Sequence, residues 1–379
     1  MRTAPWIIAA VASLAGCGPG SALEAGEARP LLGIEDGARL SSPRATHALV
    51  RLADGRMLAI GGCVAAGCDA GPASATLDII AADGRQTIGT GRLLQPRVQP
   101  SAIALADGTV FILGGWIGGR VSAATEIFDP ATGRSRAGPQ LPEAIAMPTL
   151  AALPDGSVLI AGGNNGHRVV AGAHRFDPRT GTLARLGNLN VARAGATGTR
   201  LRDGRVLIVG GGDSESRNRH ALASAELFDP ATGSFAATGS LRDRRYKHGA
   251  VALPSGDVLI VGGSDERDYD GKLRSIERYD PATGRFADAG SLIAPRFKLA
   301  DALVLLGTGQ LVVAGGDEYP EIFDPGTGKS MRLATSLGGQ WNYLTALAAA
   351  NGSVFLAGGY SEGSIEPTAR TWLLTPATS

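Results

Sequence analysis

The sequence predicts an all-β fold in which seven small antiparallel sheets surround a common axis. An apolar segment that ends in Gly-Gly occurs seven times in the 379 residues, and its closing glycines lie 43 to 53 residues apart. A repeat of this length, with strand character and no helical periodicity, is typical of a β-propeller. One sheet, or blade, belongs to each segment, at 57–62, 110–115, 158–163, 206–211, 258–263, 311–316 and 354–359.

Each repeat is predicted to form a meander of four strands, a to d. In blade 4 we place strand a at 196–201, b at 205–211, c at 225–229 and d at 234–241. A pair such as Asp203-Gly204 separates a from b, because it adopts the positive φ that a tight hairpin needs. Asp-Pro, as at Asp229, ends strand c, since proline cannot extend a ladder of hydrogen bonds.

Strand b is almost continuously apolar, which indicates that neighbouring blades cover both of its faces. Together with the Gly-Gly pair, the Phe/Tyr-Asp-Pro of strand c and a Pro-Arg before strand a, this pattern resembles the kelch repeat over residues 31–379. Repeat 1 departs from it with Ile79-Ile80 in place of Phe-Asp, and repeat 7 has Trp372 and no Asp-Pro turn. The resemblance implies a seven-bladed kelch-type β-propeller with four-stranded antiparallel blades.

The two ends of the chain are expected to complete one blade. After Gly359 only one further strand fits, at 370–374, so blade 7 lacks a strand d. Residues 31–44 match the end of strand d at 292–296, and the N-terminal strand is therefore predicted to close the last blade. Such closure removes an exposed sheet edge. The propeller domain is accordingly placed at 30–379.

The first sixteen residues are predicted to be a targeting segment. Arg2 precedes a short apolar core, and the Leu14-Ala15-Gly16-Cys17 that follows resembles the lipobox of bacterial lipoproteins. The resemblance implies that residues 1–16 are a signal peptide, that Cys17 is lipidated and that 17–29 form a flexible tether. Because Gly18 follows the cysteine, it also implies the outer membrane, facing the periplasm or the surface. The alternative is an ordinary secretory signal cleaved near Cys17.

With Cys17 assigned to lipidation, Cys63 and Cys68 are the two cysteines that are left. Export favours a disulfide between them. The 36 basic and 35 acidic residues give a net charge of +1. This balance gives no electrostatic signature of binding to nucleic acid or to an anionic membrane surface. We expect a monomer that meets the membrane through its lipid anchor alone.

The b–c loops and the d–a connections share one face of the predicted propeller, and they vary between blades. Binding residues tend to lie on variable loops of a rigid scaffold. Aromatic residues beside charged ones, including Lys247, Phe297 and Lys298, concentrate on this face, which suits a glycan or a protein segment. The candidate ligand-binding residues are Trp116, Asn164, His167, Arg219, Arg245, His248, Tyr269, Tyr319, Trp341, Tyr343 and Tyr360.

An arginine before strand a and a glutamate in strand c recur between blades, and their repetition indicates a structural role. A guanidinium group can satisfy loop carbonyls, and a carboxylate can pair with a cation or a backbone amide. Blade 3 has His174 at the glutamate position and Ala146 near the arginine position. The recurring residues are Arg44, Arg97, Arg193, Arg245 and Arg296, with Glu126, Glu226, Glu277 and Glu321.

Cofactor sites are not expected from the sequence. Glu266, Asp268 and Asp270 approximate the spacing of a calcium loop, but basic neighbours neutralise these carboxylates. Among kelch propellers, galactose-oxidase-like proteins hold copper with Tyr and His beside a Cys cross-linked to Tyr. The five histidines of this sequence are scattered, and its two remaining cysteines are expected to bind each other. We therefore predict no metal and no other cofactor.

The sequence favours an exported, lipid-anchored propeller that binds a protein segment or glycan through its b–c and d–a loops. Catalysis is left open, with non-catalytic binding preferred. One alternative is a carbohydrate-active enzyme of the sialate-mutarotase or galactose-oxidase type at the channel mouth. Another is a structural component of the cell envelope. A buried cluster of unpaired carboxylate and imidazole in the channel favours the enzyme, and an exposed aromatic groove favours binding. A face whose charges all pair internally favours the structural role.

Overall fold

The computed structural model describes residues 31–66, 68, 72–214 and 220–376, and these residues form an all-β propeller of seven blades. The predicted signal peptide, the tether with Cys17, and Arg219 lie outside the described residues. Within these ranges no helix is long and apolar enough to cross a membrane. The fold class predicted from the sequence is confirmed.

Each blade is an antiparallel sheet in the order a-b-c-d. Strands a to d are Ala48–Arg51, Met57–Ile60, Thr76–Ile80 and Thr87–Arg92 in blade 1; Ser101–Ala104, Val110–Leu113, Thr125–Asp129 and Arg134–Ala137 in blade 2; Thr149–Ala152, Val158–Ala161, Gly172–Asp177 and Thr182–Asn188 in blade 3; Thr197–Arg200, Val206–Val209, Ser224–Asp229 and Ser234–Ser240 in blade 4; Gly249–Ala252, Val258–Val261, Leu273–Asp280 and Arg285–Arg296 in blade 5; Leu303–Leu305, Leu311–Val313, Glu321–Asp324 and Lys329–Arg332 in blade 6; Thr345–Ala348, Val354–Ala357, Thr371–Pro376 and Leu31–Asp36 in blade 7.

Short elements of secondary structure lie in the loops. Trp116–Ile117 pairs with Arg120–Val121, and Trp341–Asn342 pairs with Tyr360–Ser361. A 3-10 helix spans Asp268–Gly271 in the b–c loop of blade 5. The b–c loops and the d–a connections meet at bridges such as Tyr246 to Ser264, so they share one face, as the meander requires.

The ring closes through the N-terminal strand. Leu31–Asp36 pairs antiparallel with Thr371–Pro376 and supplies strand d of blade 7. Strand a of blade 7 also contacts strand a of blade 1, as neighbouring a strands do all round the ring. These inner strands line an axial channel.

The core lies between the blades. Every residue of strand b in blades 1 to 7 is buried. Phe355 and Leu373 of blade 7, for example, pack with Met57 and Ile80 of blade 1 in one cluster. Because a blade cannot bury both faces alone, this packing makes the blades interdependent.

Candidate functional site

A collar of residues in the left-handed backbone conformation surrounds the axis where each strand a begins. Six of its seven members are not glycine, although this conformation costs an L-residue roughly 1–2 kcal/mol. The conformation recurs in every blade, which assigns it to the scaffold. It marks the end of the channel on the b–c/d–a face, which we call the axial mouth. The collar residues are Thr46, Gln99, Met147, Gly195, Lys247, Lys298 and Tyr343, with φ between 53° and 66°.

The axial mouth has an apolar half over blades 2 to 5. Met147 is 1% exposed and packs with Ala194 and Tyr246. Trp116, a predicted ligand residue, is half-buried against the same cluster. This half of the mouth is therefore closed by hydrophobic packing.

The other half, over blades 5 to 7, combines lysines with aromatic rings. Phe297 is buried, and the ammonium groups of Lys298, Lys247 and Lys272 lie 4.4, 5.3 and 5.5 Å from its ring centre. We call the group of residues that surrounds Phe297 the lysine–aromatic patch. Its members are Lys247, Lys272, Lys298, Tyr269, Phe297, Tyr343 and Tyr360.

Loop structure positions these side chains. Tyr269 lies on the 3-10 helix, where it is 50% exposed and has the ammonium of Lys272 at 3.7 Å from its ring centre. Lys247 forms an ion pair with Asp268 at 2.7 Å. Lys298 donates a hydrogen bond of 2.5 Å to the Tyr360 hydroxyl. Cation–π contacts of this kind are worth about 0.5–2 kcal/mol each.

Blade 6 places a carboxyl group, that of Asp301, next to this patch. Asp301 lines a small cavity of the mouth together with His47, Lys298 and Tyr343. It also lines the axial channel, where burial raises the pKa of its carboxyl to about 8. Asp301 was not predicted from the sequence as a site residue.

Arg245 occupies a different environment, because it belongs to a set of buried ion pairs that we call latches. Its guanidinium is fully buried, lies 2.7 Å from Glu277 and donates to the Gly262 carbonyl. Burial lowers the pKa of Arg245, and Glu277 acts in the opposite direction. The same latch recurs in five blades as Arg44–Asp78, Arg97–Glu126, Arg193–Glu226, Arg245–Glu277 and Arg296–Glu321, with N–O distances of 2.6–2.9 Å.

Each latch fixes a d–a connection. In blade 4 the Glu226 carboxylate also accepts hydrogen bonds from the backbone amides of Asn190 and Val191. Asp78, which precedes the irregular Ile79-Ile80, supplies the acid of blade 1 and was missed in the sequence. Arg245 therefore serves the scaffold, and we leave it out of the candidate site.

Two blades replace the latch with other side chains. In blade 7, Trp341 and Trp372 stand at the arginine and acid positions, and their ring centres lie 5.5 Å apart. Trp341, a predicted ligand residue, thus packs against the blade. In blade 3, Ile145 is buried at the arginine position and His174 takes the acid position, where burial lowers its pKa.

His248 and His47 are buried between neighbouring a strands. The Nε2 of His248 shares a hydrogen bond of 3.0 Å with the Thr197 hydroxyl, and that of His47 one of 2.9 Å with Thr345. Burial lowers the pKa of both to about 3, with a smaller contribution from the nearby Arg245 and Arg44. Both imidazoles are therefore neutral and join adjacent blades.

The remaining candidates are dispersed. Asn164 is buried and accepts a hydrogen bond from the Gly166 amide, whereas His167 is exposed on blade 3. Tyr319 is half-buried, with the Arg332 guanidinium 5.5 Å from its ring centre. Of the candidates, the lysine–aromatic patch brings together Tyr269, Tyr343 and Tyr360.

The predicted calcium-like spacing forms a different arrangement. Asp268 holds Lys247, and Glu266 lies 3.8 Å from Arg244. Among the described residues, no three His, Cys, Asp or Glu side chains converge as a metal site. Cys63 and Cys68 form the expected disulfide, close to Trp116 and Tyr360 in the same apolar cluster.

Comparison with known proteins shows the fold. No protein-family model and no curated protein matches the sequence. A solved structure of a fungal alcohol oxidase of the AA5 family, in complex with copper, is similar to this chain with a TM-score of 0.68 and 16% identity. The similarity covers 92% of this chain and 77% of the oxidase chain. At this identity the likeness shows a shared propeller fold.

The copper named for that oxidase does not fit the residues that the structure describes around the axial mouth. Imidazoles are the usual protein ligands of copper, but the Nε2 atoms of His47 and His248 are bound to threonines of adjacent blades. The thiols of Cys63 and Cys68 are joined to each other. We therefore derive no step through copper.

Proposed function

We propose that the protein is a carbohydrate-directed propeller that holds a glycan bearing a carboxylate in the lysine–aromatic patch. The observation that carries this proposal is the position of three ammonium groups within 5.5 Å of the Phe297 ring centre, with Asp268 as the ion-pair partner of Lys247. An ammonium group binds carboxylate oxygens through charge-assisted hydrogen bonds. The exposed ring of Tyr269 offers an apolar face to a sugar ring.

The lysine–aromatic patch is preorganised for ligand recognition. Phe297 and Tyr343 are buried, so their rings hold the lysine side chains in place before a ligand arrives. A preorganised site loses less conformational entropy on binding than a flexible one. The strained collar positions of Lys247, Lys298 and Tyr343 fix the same side chains at the axis.

Binding to a panel of glycans tests this proposal. The purified protein is titrated calorimetrically with matched neutral and carboxylate-bearing glycans, and with acidic peptides as the other ligand class. Lys298→Met keeps the aliphatic stem and removes the charge, and we expect it to weaken binding of the acidic glycan about tenfold, or about 1.4 kcal/mol. The matched control is Lys329→Met, on the exposed strand d of the same blade.

The proposal fails if Lys298→Met and Lys329→Met bind the acidic glycan equally well. Preference for an acidic peptide over every glycan would overturn the carbohydrate class and leave a protein segment as the ligand.

A carbohydrate-active enzyme is the second candidate function. The hydrogen bond from Lys298 to Tyr360 favours it, because it fixes a phenol hydroxyl, a group able to transfer a proton, at the axial mouth. Tyr360→Phe is then expected to bind the glycan within about threefold of the wild type and to lose turnover by a factor of about 100 or more. Turnover equal to that of the wild type would exclude this role.

Export and lipid anchoring remain part of the proposal. We propose that Cys17 carries the lipid and that the propeller faces an extracytoplasmic space at the outer membrane. Labelling with a fatty-acid analogue should mark the wild type and leave Cys17→Ser unmarked. Equal labelling of both would contradict the anchor.

A further inference from the structure

Blade 6 enters the channel differently from the other six blades. Strand a begins four residues after the arginine position in blades 1 to 5 and 7, but seven residues after Arg296 in blade 6. The extra residues form a turn, closed by a hydrogen bond from the Ala302 amide to the Leu299 carbonyl. Asp301 lies in this turn, and its own carbonyl accepts a hydrogen bond from the Ala346 amide of blade 7.

The turn brings Asp301 to one end of a cavity inside the propeller. The cavity has a volume of about 290 Å³ and is lined by the inner strands of blades 5, 6, 7, 1 and 2. Its walls are mostly aliphatic, with Leu49, Val251, Leu303 and Leu305 among them. Arg51, at the end of its strand a, lines the cavity as well.

The carboxyl of Asp301 lacks a partner in this apolar space. Asp301 is half-buried at the cavity wall, and no described residue donates a hydrogen bond to its carboxyl or forms an ion pair with it. A carboxylate removed from water is costly unless it is paired. Of the charged groups nearby, Arg51 donates to the Ala348 carbonyl and Lys298 donates to Tyr360. His47 is neutral, because burial lowers its pKa to about 3.

We propose that the axial channel binds a small organic cation, whose ammonium group pairs with the Asp301 carboxylate while its apolar body fills the cavity. An aliphatic cavity with a single carboxyl at one end matches a ligand that is apolar except for one positive charge. This site adjoins the lysine–aromatic patch, since Asp301 shares a small cavity with Lys298 and Tyr343. Its ligand carries the opposite charge to the ligand of the patch, so the inference does not depend on the glycan proposal.

Binding of the cation is coupled to loss of a proton. With the pKa of Asp301 raised to about 8, the carboxyl is largely protonated at pH 6. The cation then binds as the Asp301 O–H bond breaks, the electron pair stays on the carboxylate and the proton passes to the buffer. The dissociation constant should therefore fall about tenfold per pH unit up to about pH 8 and then level off.

The test uses three probes of one shape: cyclohexylammonium, cyclohexanol and cyclohexanecarboxylate. We expect the wild type to bind cyclohexylammonium at least tenfold more tightly than the other two at pH 8. Calorimetry at pH 6 in two buffers of different ionisation enthalpy should show release of close to one proton per cation bound. Asp301→Asn should lose the preference for the cation, while its unfolding curve shows that it is folded.

Two results would overturn the proposal. One is equal or weaker binding of cyclohexylammonium than of cyclohexanol to the wild type at pH 8. The other is cation binding without proton release at pH 6, a readout that needs no variant.

Discussion

The latches and the lysine–aromatic patch use charge in opposite ways. In the latches of five blades, each arginine is fully buried beside an acid of strand c and donates to the carbonyl of the first glycine of Gly-Gly. In the patch, three lysines surround one phenylalanine, and this arrangement belongs to blades 5 to 7. Charge that is repeated in many blades therefore holds the scaffold, whereas charge placed in few blades can serve a ligand.

Blade 7 shows what the latch contributes. Trp341 and Trp372 take the place of the arginine and the acid, and the d–a connection there still follows the same path into strand a. A buried ion pair is often replaceable by apolar groups of similar volume, but removal of one partner leaves an unpaired buried charge. The latch is thus one of three arrangements at these positions, with the tryptophan pair of blade 7 and Ile145 with His174 in blade 3.

The largest expected effect comes from breaking one latch. Arg193→Met leaves Glu226 buried without its cation and should reduce the free energy of unfolding by about 3–5 kcal/mol. The double variant Arg193→Met/Glu226→Leu should recover most of this loss. Denaturant unfolding measures both, and Arg179→Met, at an exposed pair with Asp177, is the control, with an expected change below about 1 kcal/mol.

A loss below about 1 kcal/mol in Arg193→Met would show that the latch does not hold the blade. A double variant as unstable as the single one would show that the ion pair itself is required.

A smaller change in stability is expected at acid pH from the two buried histidines. The pKa of His248 and His47 is lowered to about 3 in the folded protein, against about 6.5 in the unfolded chain. Between these values the unfolded chain binds more protons, so stability is full above pH 6.5 and falls as the pH falls towards 3. His248→Gln should lose less stability than the wild type as the pH falls from 6.5 towards 3. An equal loss in the two proteins would contradict a neutral, buried His248.

Asp301 should lower the stability of the folded protein on the alkaline side of its pH profile. Its pKa is raised to about 8 in the folded protein, against about 3.9 when unfolded, so the folded state binds more protons between these values. Stability contributed by this group is present below pH 3.9 and falls as the pH rises to about 8. Asp301→Asn should therefore be more stable than the wild type at pH 8, as measured by thermal unfolding, and a lower stability would contradict this.

The scaffold could be predicted from the sequence because its elements repeat from blade to blade. The Gly-Gly period predicted the blades, and residues 31–44 predicted the closing strand. Asp78 was missed because its blade lacks the Phe-Asp that marks the acid position elsewhere. The turn with Asp301 left a signal in the sequence, since the distance from Arg296 to Leu306 is two residues longer than that from Arg245 to Leu253.

The patch could be predicted only in part. Lys247, Phe297 and Lys298 were recognised on the d–a connections, and Tyr269, Tyr343 and Tyr360 among the aromatic candidates. Their convergence depends on the order of blades 5 to 7 around the axis and on the left-handed collar positions. Likewise, Arg245 and Trp341 look like ligand residues in the sequence, and only the packing shows that they face their own blade.

Measurement of both unfolding free energy and glycan affinity in Arg193→Met and Lys298→Met separates the scaffold role of the latches from the ligand role of the lysine–aromatic patch. We predict that Arg193→Met loses about 3–5 kcal/mol of stability and, where folded, binds the carboxylate-bearing glycan as the wild type does. Lys298→Met should bind it about tenfold more weakly and change stability by less than about 0.5 kcal/mol. Loss of affinity in Arg193→Met with none in Lys298→Met would contradict the division between scaffold and site.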